Sequence, residues 1–151
     1  MVHSTEQVIL EICQRHYGEV EAVYLFGSHA RGEADPNSDL DLAILFDYEQ
    51  AQAVGELSLS EAALELARVV GCSVDLVNLR QVSTVFQYQI ITTGKLLFAG
   101  PGSTPYIFEG LVVSLYQKLL AERLRTDELI PATEGDCRSM DDDTLNKAAN
   151  T

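Results

Sequence analysis

Three aspartates and a glycine–serine pair are the residues of this sequence whose types and spacing could perform chemistry. Gly27 and Ser28 follow one apolar run, and Asp39 and Asp41 open the next. Backbone N–H groups and a hydroxyl on a small-residue turn can approach a phosphate closely. Alternate residues of a strand point to the same face, so Asp39 and Asp41 could hold magnesium against that phosphate. This short segment therefore supplies both halves of a phosphoryl-transfer site.

A third acid, Asp75, stands inside an apolar run at residues 74–77. An unpaired charge buried in a strand is costly, so we expect Asp75 to be buried and to need a partner. A metal ion held by Asp39 and Asp41 would provide one. An isolated Asp-x-Asp usually marks an exposed strand end, but the Gly–Ser turn, Arg31 and the third acid together favour a site.

Apolar periodicity and turn residues predict the elements that must position these side chains. Helices are predicted over about 5–17, 49–70, 82–91 and 106–129, and strands over about 20–26, 39–46, 72–79 and 95–98. Helices that alternate with strands in this way indicate a small α/β domain of the α+β type. We expect a mixed sheet of three to four strands flanked by helices.

The long second helix is predicted to pack through an apolar stripe formed by Leu57, Ala63, Leu64 and Ala67. Gly55 marks either a late start of this helix or a local weakness in it. Residues 1–131 are predicted to form one domain. The polar residues 132–151 are predicted to form a flexible tail.

The charge balance limits the classes of partner. The chain of 151 residues carries 23 acidic and 10 basic side chains, and its net charge is −13. Such a surface repels a nucleic-acid backbone, whose binding requires Lys and Arg. Direct binding of DNA or RNA is therefore not expected, whereas a basic protein partner would be attracted.

The sequence also predicts a cytoplasmic protein without a membrane span. It contains no apolar stretch long enough to cross a bilayer, and its first residues lack the pattern of a signal peptide. Three cysteines, Cys13, Cys72 and Cys137, have no metal-ligand spacing. They are expected to be reduced thiols.

The site residues match a known family. Gly27-Ser28, ten residues and then Asp39-x-Asp41 resemble the signature of the DNA polymerase beta-like nucleotidyltransferases. The fuller strings, Gly-Ser-x-Ala-Arg-Gly at 27–32 and Ser-Asp-Leu-Asp-Leu at 38–42, are similar to those of the minimal nucleotidyltransferases, the MntA-type antitoxins. The resemblance covers roughly residues 5–130.

The resemblance implies a role for each matching residue. Asp39 and Asp41 would be ligands shared by two Mg²⁺ ions, and Asp75 would bind the catalytic ion and help to deprotonate the attacking hydroxyl. Gly27 and Ser28 would contact the triphosphate of ATP.

Two further residues, Arg31 and Ser38, would join the nucleotide-binding set. Arg31 could instead pair with Glu33 or Asp35. His29, inside the same loop, could contact nucleotide or face solvent.

The resemblance further implies a partner, a HEPN-domain ribonuclease toxin of the HepT type, which such antitoxins silence by transferring AMP to one of its tyrosines. The short chain agrees with this branch, because it leaves little room for a domain that holds a second substrate. One alternative is a non-catalytic antitoxin that neutralises its partner by binding and occluding it. The apolar stripe formed by Leu111, Leu115 and Leu119 could form that interface, but we expect it to cover the sheet. Another is a nucleotidyltransferase that acts on a small molecule.

Overall fold

The computed structural model describes residues 4–129, and side chains up to residue 125. Within this range the elements are α1 (Thr5–Tyr17), β1 (Ala22–Phe26), β2 (Leu40–Leu45), α2 (Tyr48–Val54), α3 (Glu61–Val70), β3 (Val74–Asn78), a 3-10 turn (Leu79–Gln81), α4 (Thr84–Thr93), β4 (Lys95–Ala99) and α5 (Thr104–Leu129).

The four strands form one mixed sheet in the order β3-β2-β1-β4. The central strand β1 runs antiparallel to both of its neighbours, whereas β2 and β3 are parallel. The predicted fold class, a mixed sheet flanked by helices, is confirmed. Because β3 is an edge strand, one of its sides is open.

Hydrophobic clusters cover both faces of the sheet. One face, which includes Leu42 and Ile44, packs against residues of α1 and α3. The other face, which includes Tyr24 and Leu45, packs against α4 and the first turns of α5. These two layers pack against the strands and so position the loops and strand ends that carry the candidate site residues.

The prediction of one long helix from residue 49 to residue 70 is wrong. Residues 48–70 form two helices, because Gly55 adopts φ 60° and ends α2. Ser60 then starts α3 by accepting a hydrogen bond from the backbone N–H of Ala63 at 3.2 Å. Each helix has its own side-chain cap, which satisfies backbone groups that a continuous helix would pair internally.

The predicted apolar stripe of that helix is therefore wrong in part. Leu57 is buried, but it belongs to the linker between the two helices. Leu64 is 59% exposed, and Leu66 is the large buried residue of α3. The break in the helix changes which residues of α3 face the core.

The leucines of the stripe that was predicted on the last helix are exposed. Leu111, Leu115 and Leu119 are 55%, 41% and 45% exposed, whereas Phe108 and Val112 are buried. Contacts between residues divide the chain into two units. The unit that contains the sheet ends at Ser114, and the second unit begins at Leu115. In the second unit, the described residues 115–129 form the remainder of α5.

Several predictions concern residues outside the described range. The domain boundary after residue 131, the flexible tail at 132–151 and the state of Cys137 stay predictions. Cys13 and Cys72 are free thiols, as expected. Among the described residues, no helix is long and apolar enough to cross a membrane. The cytoplasmic location stays a prediction.

Candidate functional site

Gly27 ends β1 directly beneath the carboxylate of Asp41. The antiparallel register places Phe26 opposite Asp41, and Gly27 then turns with φ +75°. A Cβ atom at Gly27 would lie 3.0 Å from the Asp41 Cγ and 3.3 Å from its Cβ, and it would overlap the carboxylate itself. Glycine is needed here both for the positive φ and for the space that Asp41 occupies.

Asp75 lies level with Asp41 across the parallel pair β2 and β3. The register pairs Leu40 with Val74, Asp41 with Asp75 and Leu42 with Leu76. Adjacent strands lie about 4.8 Å apart, and directly paired residues point to the same face. The topology therefore brings two acids from distant parts of the sequence to neighbouring positions.

The expectation that Asp75 is buried is wrong. Its side chain is exposed, whereas Leu76, which points to the opposite face, is fully buried. The reason is that β3 is the edge strand of the described sheet and that Asp75 is the second residue of that strand, so its side chain lies at the open end of the sheet. The apolar residues around Asp75 indicate a strand, but they do not indicate that both of its faces are covered.

Asp39 lies directly before β2, so the strand begins one residue later than predicted. The backbone N–H of Leu40 donates to the Ser73 carbonyl at 2.8 Å, which fixes the chain next to Asp39. Burial raises the pKa of Asp41 above its ordinary value. The charges of Asp75 and Asp39 raise it further, while His29 and Arg31 oppose the shift.

The loop between β1 and β2 is folded on its own hydrogen bonds. The Gly27 carbonyl accepts from the N–H groups of Ala30 and Arg31, at 3.1 Å and 3.2 Å. Ser28 is half-buried. The carbonyl of Ser28 accepts from the backbone N–H of Glu33 at 2.9 Å. The Gly–Ser turn is thus a compact loop beside Asp41.

Arg31 pairs with Glu33, one of the two alternatives predicted for it. Its Nε donates to the Glu33 Oε1 at 2.9 Å, and both side chains are at least half exposed. Ser38 accepts a hydrogen bond from the Asp35 N–H at 2.9 Å, so its hydroxyl is engaged inside the loop. His29 is half-buried, and its Nε2 lies 3.5 Å from the Ser38 carbonyl oxygen.

The three acids fit magnesium by the chemistry of their donors. Carboxylate oxygens are the hard ligands that Mg²⁺ prefers, and a cation near Asp41 would offset the repulsion that raises its pKa. Among the described residues, no three Asp, Glu, His or Cys side chains form a group arranged to hold a metal ion. The ligand set and the number of ions therefore stay predictions.

Two clefts lie beside these residues. One, of about 310 Å³, is lined by Phe26, Gly27, Arg31, Phe86, Gln89, Ile90 and Thr93. The other, of about 300 Å³, is lined by Gly55, Glu56, Ser58, Asp75, Leu76, Val77, Asn78, Gln81, Val82 and Phe86. Volumes near 300 Å³ are at the lower end of the range of small-molecule sites.

Sequence reasoning missed the residues that α4 and the α2–α3 linker contribute to these clefts. Phe86 lies in the first turn of α4, where the Ser83 hydroxyl accepts from its backbone N–H at 3.1 Å. Its ring packs edge to face on Phe26, with 5.5 Å between the centroids. No motif marks this residue. The only signal is an aromatic residue one turn into a predicted helix.

Residues 7–100 match the family model described as "Polymerase beta, Nucleotidyltransferase". This chain belongs to that family. The match covers the Gly–Ser turn and all three aspartates, and the activity of the family is nucleotidyl transfer. A nucleotide is therefore the substrate class of this nucleotidyltransferase.

Relatives of this nucleotidyltransferase include protein adenylyltransferases. It is 35% identical over 123 residues to the protein adenylyltransferase MntA of Shewanella oneidensis. The matched region covers 82% of this chain and 85% of MntA. A chain of a toxin–antitoxin complex crystallised with AMP-PNP is 32% identical, with a TM-score of 0.65, and the match covers 82% of this chain and 95% of that one.

A second solved structure extends the comparison. It contains the tri-AMPylated Shewanella oneidensis HEPN toxin in complex with an MNT antitoxin. One of its chains is 30% identical to this nucleotidyltransferase, with a TM-score of 0.60, and the match covers 82% of this chain and 93% of that one. The resemblance to the MntA type is confirmed.

Proposed function

We propose that this nucleotidyltransferase is an antitoxin that transfers AMP from ATP to a tyrosine of a HEPN-domain ribonuclease and thereby silences it. One observation carries the proposal at the site: Gly27 turns directly beneath the Asp41 carboxylate, and Asp75 is level with Asp41 on the next strand. The relatedness to MntA, and to chains of toxin–antitoxin complexes, supports a protein as the second substrate.

The loop residues would bind the phosphates of ATP. Gly27 and Ser28 offer a close backbone approach and a hydroxyl. Arg31 is available, because an exposed ion pair such as that with Glu33 contributes little free energy and is easily exchanged for a phosphate. The Ser38 hydroxyl accepts a hydrogen bond from the backbone N–H of Asp35. Ser38 would therefore act mainly by holding the loop that precedes Asp39 in place.

Asp39, Asp41 and Asp75 would hold Mg²⁺, two ions by the family resemblance. The bound metal would neutralise charge on the phosphates and orient the reacting oxygens. The chain itself positions the acids through the register of β2 and β3. It also leaves Asp75 exposed, so that a hydroxyl of another molecule can reach that carboxylate.

The expected result for the partner follows from charge and bulk. An adenylylated tyrosine carries an additional phosphate charge and a nucleoside. Placed beside a ribonuclease site, these groups repel the RNA backbone and block access to the site. An acidic antitoxin with a net charge of −13 would also attract a basic, RNA-binding partner.

A direct test is incubation with labelled ATP, Mg²⁺ and the product of the neighbouring gene. We expect label on one tyrosine of the partner, loss of its ribonuclease activity and release of pyrophosphate. Loss of ribonuclease activity without any labelled partner would contradict adenylylation.

A second candidate function is neutralisation by occlusion alone, and the exposure of Leu111, Leu115 and Leu119 favours it. A variant with both Asp39→Ala and Asp41→Ala separates the two. If this variant binds the partner equally well and no longer neutralises it, neutralisation depends on chemistry. If neutralisation persists, occlusion is sufficient.

A further inference from the structure

A third cleft, of about 410 Å³, lies between α4 and α5, apart from the three aspartates. Its lining residues come from the last turn of α4 and the first turns of α5: Ile91, Thr92, Tyr106, Glu109, Gly110 and Val113. All of them belong to the unit that contains the sheet. Thr92 is followed directly by Thr93, which lines the cleft at Gly27. A molecule held in the α4–α5 cleft would therefore lie against the helix that borders the site.

Glu109 is the charged residue of this lining, and a buried phenol fixes its position. Tyr24 is 1% exposed, and its hydroxyl donates to the Glu109 Oε2 at 2.5 Å. Burial raises the pKa of Tyr24, and the Glu109 carboxylate raises it further, so the phenol keeps its proton as a donor. Among residues 4–125, no basic side chain forms an ion pair with Glu109, and its Oε1 accepts no hydrogen bond.

The chemistry of the lining favours a cation that has a flat face. Glu109 is half-buried, so its charge has lost part of its hydration, and a cationic donor would replace that hydration. The Tyr106 side chain is 60% exposed in the same cleft. The face of a tyrosine ring attracts a cation, and the planar guanidinium of arginine also packs flat on such a ring. An arginine side chain satisfies both residues.

Gly110 is a glycine that the fold itself does not explain. It lies inside α5 at an exposed position, and its φ is not in the left-handed region. A Cβ atom there would meet no described atom within 4 Å. Glycine destabilises a helix interior relative to alanine, so this position loses stability without a packing reason among the described residues. Because Gly110 lines the cleft, its missing side chain leaves room for a close approach by another molecule.

The charge of the whole chain decides between two sources of an arginine. A second copy of this chain carries the same net charge of −13 and would be repelled. The proposed partner is an RNA-binding protein, and a surface that binds RNA presents Arg and Lys side chains. Charge complementarity therefore favours that partner as the molecule that fills the cleft.

We propose that the α4–α5 cleft is a docking site for an arginine side chain of the protein partner, with the guanidinium against the Tyr106 ring and paired with Glu109. This inference rests on the proposed function, because that function supplies the basic partner. None of the residues that line the cleft belongs to the proposed catalytic or nucleotide-binding set. The cleft therefore contributes to the affinity for the partner and not to the chemical step.

Two substitutions and one control test the docking site in a titration with the product of the neighbouring gene, without ATP. Glu109→Gln removes the charge but keeps an oxygen that accepts from Tyr24. Gly110→Ala adds a methyl group to the lining of the cleft. Ser114→Ala is the control, because Ser114 is an exposed residue of α5 outside that lining, and alanine favours the helix there too. Thermal unfolding of each variant reports its stability.

For Glu109→Gln we expect the Kd to rise at least about tenfold at low salt, with a weaker dependence on salt than in the wild type. For Gly110→Ala we expect the Kd to rise at least about threefold although the thermal midpoint rises by about 2–5 °C. Ser114→Ala should also raise the midpoint and leave the Kd unchanged within about twofold. In transfer assays the KM for the partner should follow the Kd, while the rate at saturating partner is unchanged within about twofold.

Unchanged affinity in either Glu109→Gln or Gly110→Ala would overturn the docking site. A lower thermal midpoint in Gly110→Ala would do the same, because the fold itself would then require the glycine. If Glu109→Gln does not fold, Tyr106→Ala is measured in its place with the same expected loss. A wild-type dimer in sedimentation that Glu109→Gln converts to monomer would identify a second copy as the occupant and overturn the proposal.

Failure of the proposed function has a different signature. If the wild type neither binds nor labels the product of the neighbouring gene, the proposed function is wrong, and the docking site is wrong with it. If the wild type binds and labels that protein, and Glu109→Gln binds it with unchanged Kd, only the docking site is wrong.

Discussion

Gly27→Ala should separate backbone strain from the displacement of Asp41. An alanine at φ +75° costs about 1–2 kcal/mol, because its Cβ crowds the following carbonyl. For a domain of this size, that loss lowers the thermal midpoint by about 3–8 °C. In addition, the new Cβ would lie 3.0 Å from the Asp41 Cγ, so the carboxylate must move. A displacement of about 1 Å in a positioned catalytic group can reduce the rate about 100-fold.

Gly32→Ala is the matched control. Gly32 lies in the same loop with φ +71°, and a Cβ there would meet nothing within 4 Å. This variant should lose a similar amount of stability but keep its transfer rate within a few-fold. The assay is the initial rate of partner labelling with saturating ATP, together with thermal unfolding of both variants.

The reasoning is refuted by either of two results. Equal loss of rate in both variants would mean that loop strain, and not the contact with Asp41, controls activity. A fully active Gly27→Ala would mean that the position of Asp41 beneath the turn does not matter for the reaction.

Three further predictions concern charge and burial. Asp41→Asn should be more stable than the wild type at about pH 7 and similar to it at about pH 3. The reason is that the pKa of Asp41 is raised in the folded protein, so its ionisation lowers the stability of the wild type as pH rises through that pKa. Urea midpoints at the two pH values measure this difference, and an equal difference at both would contradict the prediction. Asn78→Asp should lower the free energy of unfolding by about 2–5 kcal/mol, measured by urea unfolding, since a buried carboxylate would face two carbonyl oxygens. An unchanged free energy would show that the hydrogen bonds donated by the Asn78 amide do not stabilise the fold. Cys13 should react with iodoacetamide far more slowly than Cys72, as measured by peptide mass spectrometry. Burial raises the pKa of the Cys13 thiol to about 12, so only about one Cys13 thiol in three thousand is ionised at about pH 8.5. Comparable rates at the two cysteines would contradict the burial of Cys13.

Local patterns predicted most elements of the fold. The first helix begins at residue 5 as predicted, directly after Ser4, whose hydroxyl accepts from the Gln7 N–H at 3.1 Å. The alternation of apolar residues predicted β2 to within about one residue at each end. These features depend on residues close to one another in the sequence, where side-chain period and caps act directly.

The errors arose where burial depends on distant residues. Whether the chain continues as a helix past Gly55 depends partly on Asn78, whose amide bonds the carbonyls at the end of α2. Whether Leu111 faces the core depends on how α5 meets the sheet, and Phe108 and Val112 take the buried positions instead. Spacing alone cannot distinguish these outcomes, because neighbouring faces of the helix are all partly apolar.

By itself, the sequence determined which residues are candidates for the site: the Gly–Ser turn, the alternate pair Asp39 and Asp41, and a third acid in a later strand. Only the tertiary structure decided that Asp75 is level with Asp41, that it is exposed and that it borders a cleft containing Phe86. The reason is that strand order and register join residues more than thirty positions apart. No local pattern encodes which strand lies at the edge of a sheet and which of its sides remains open.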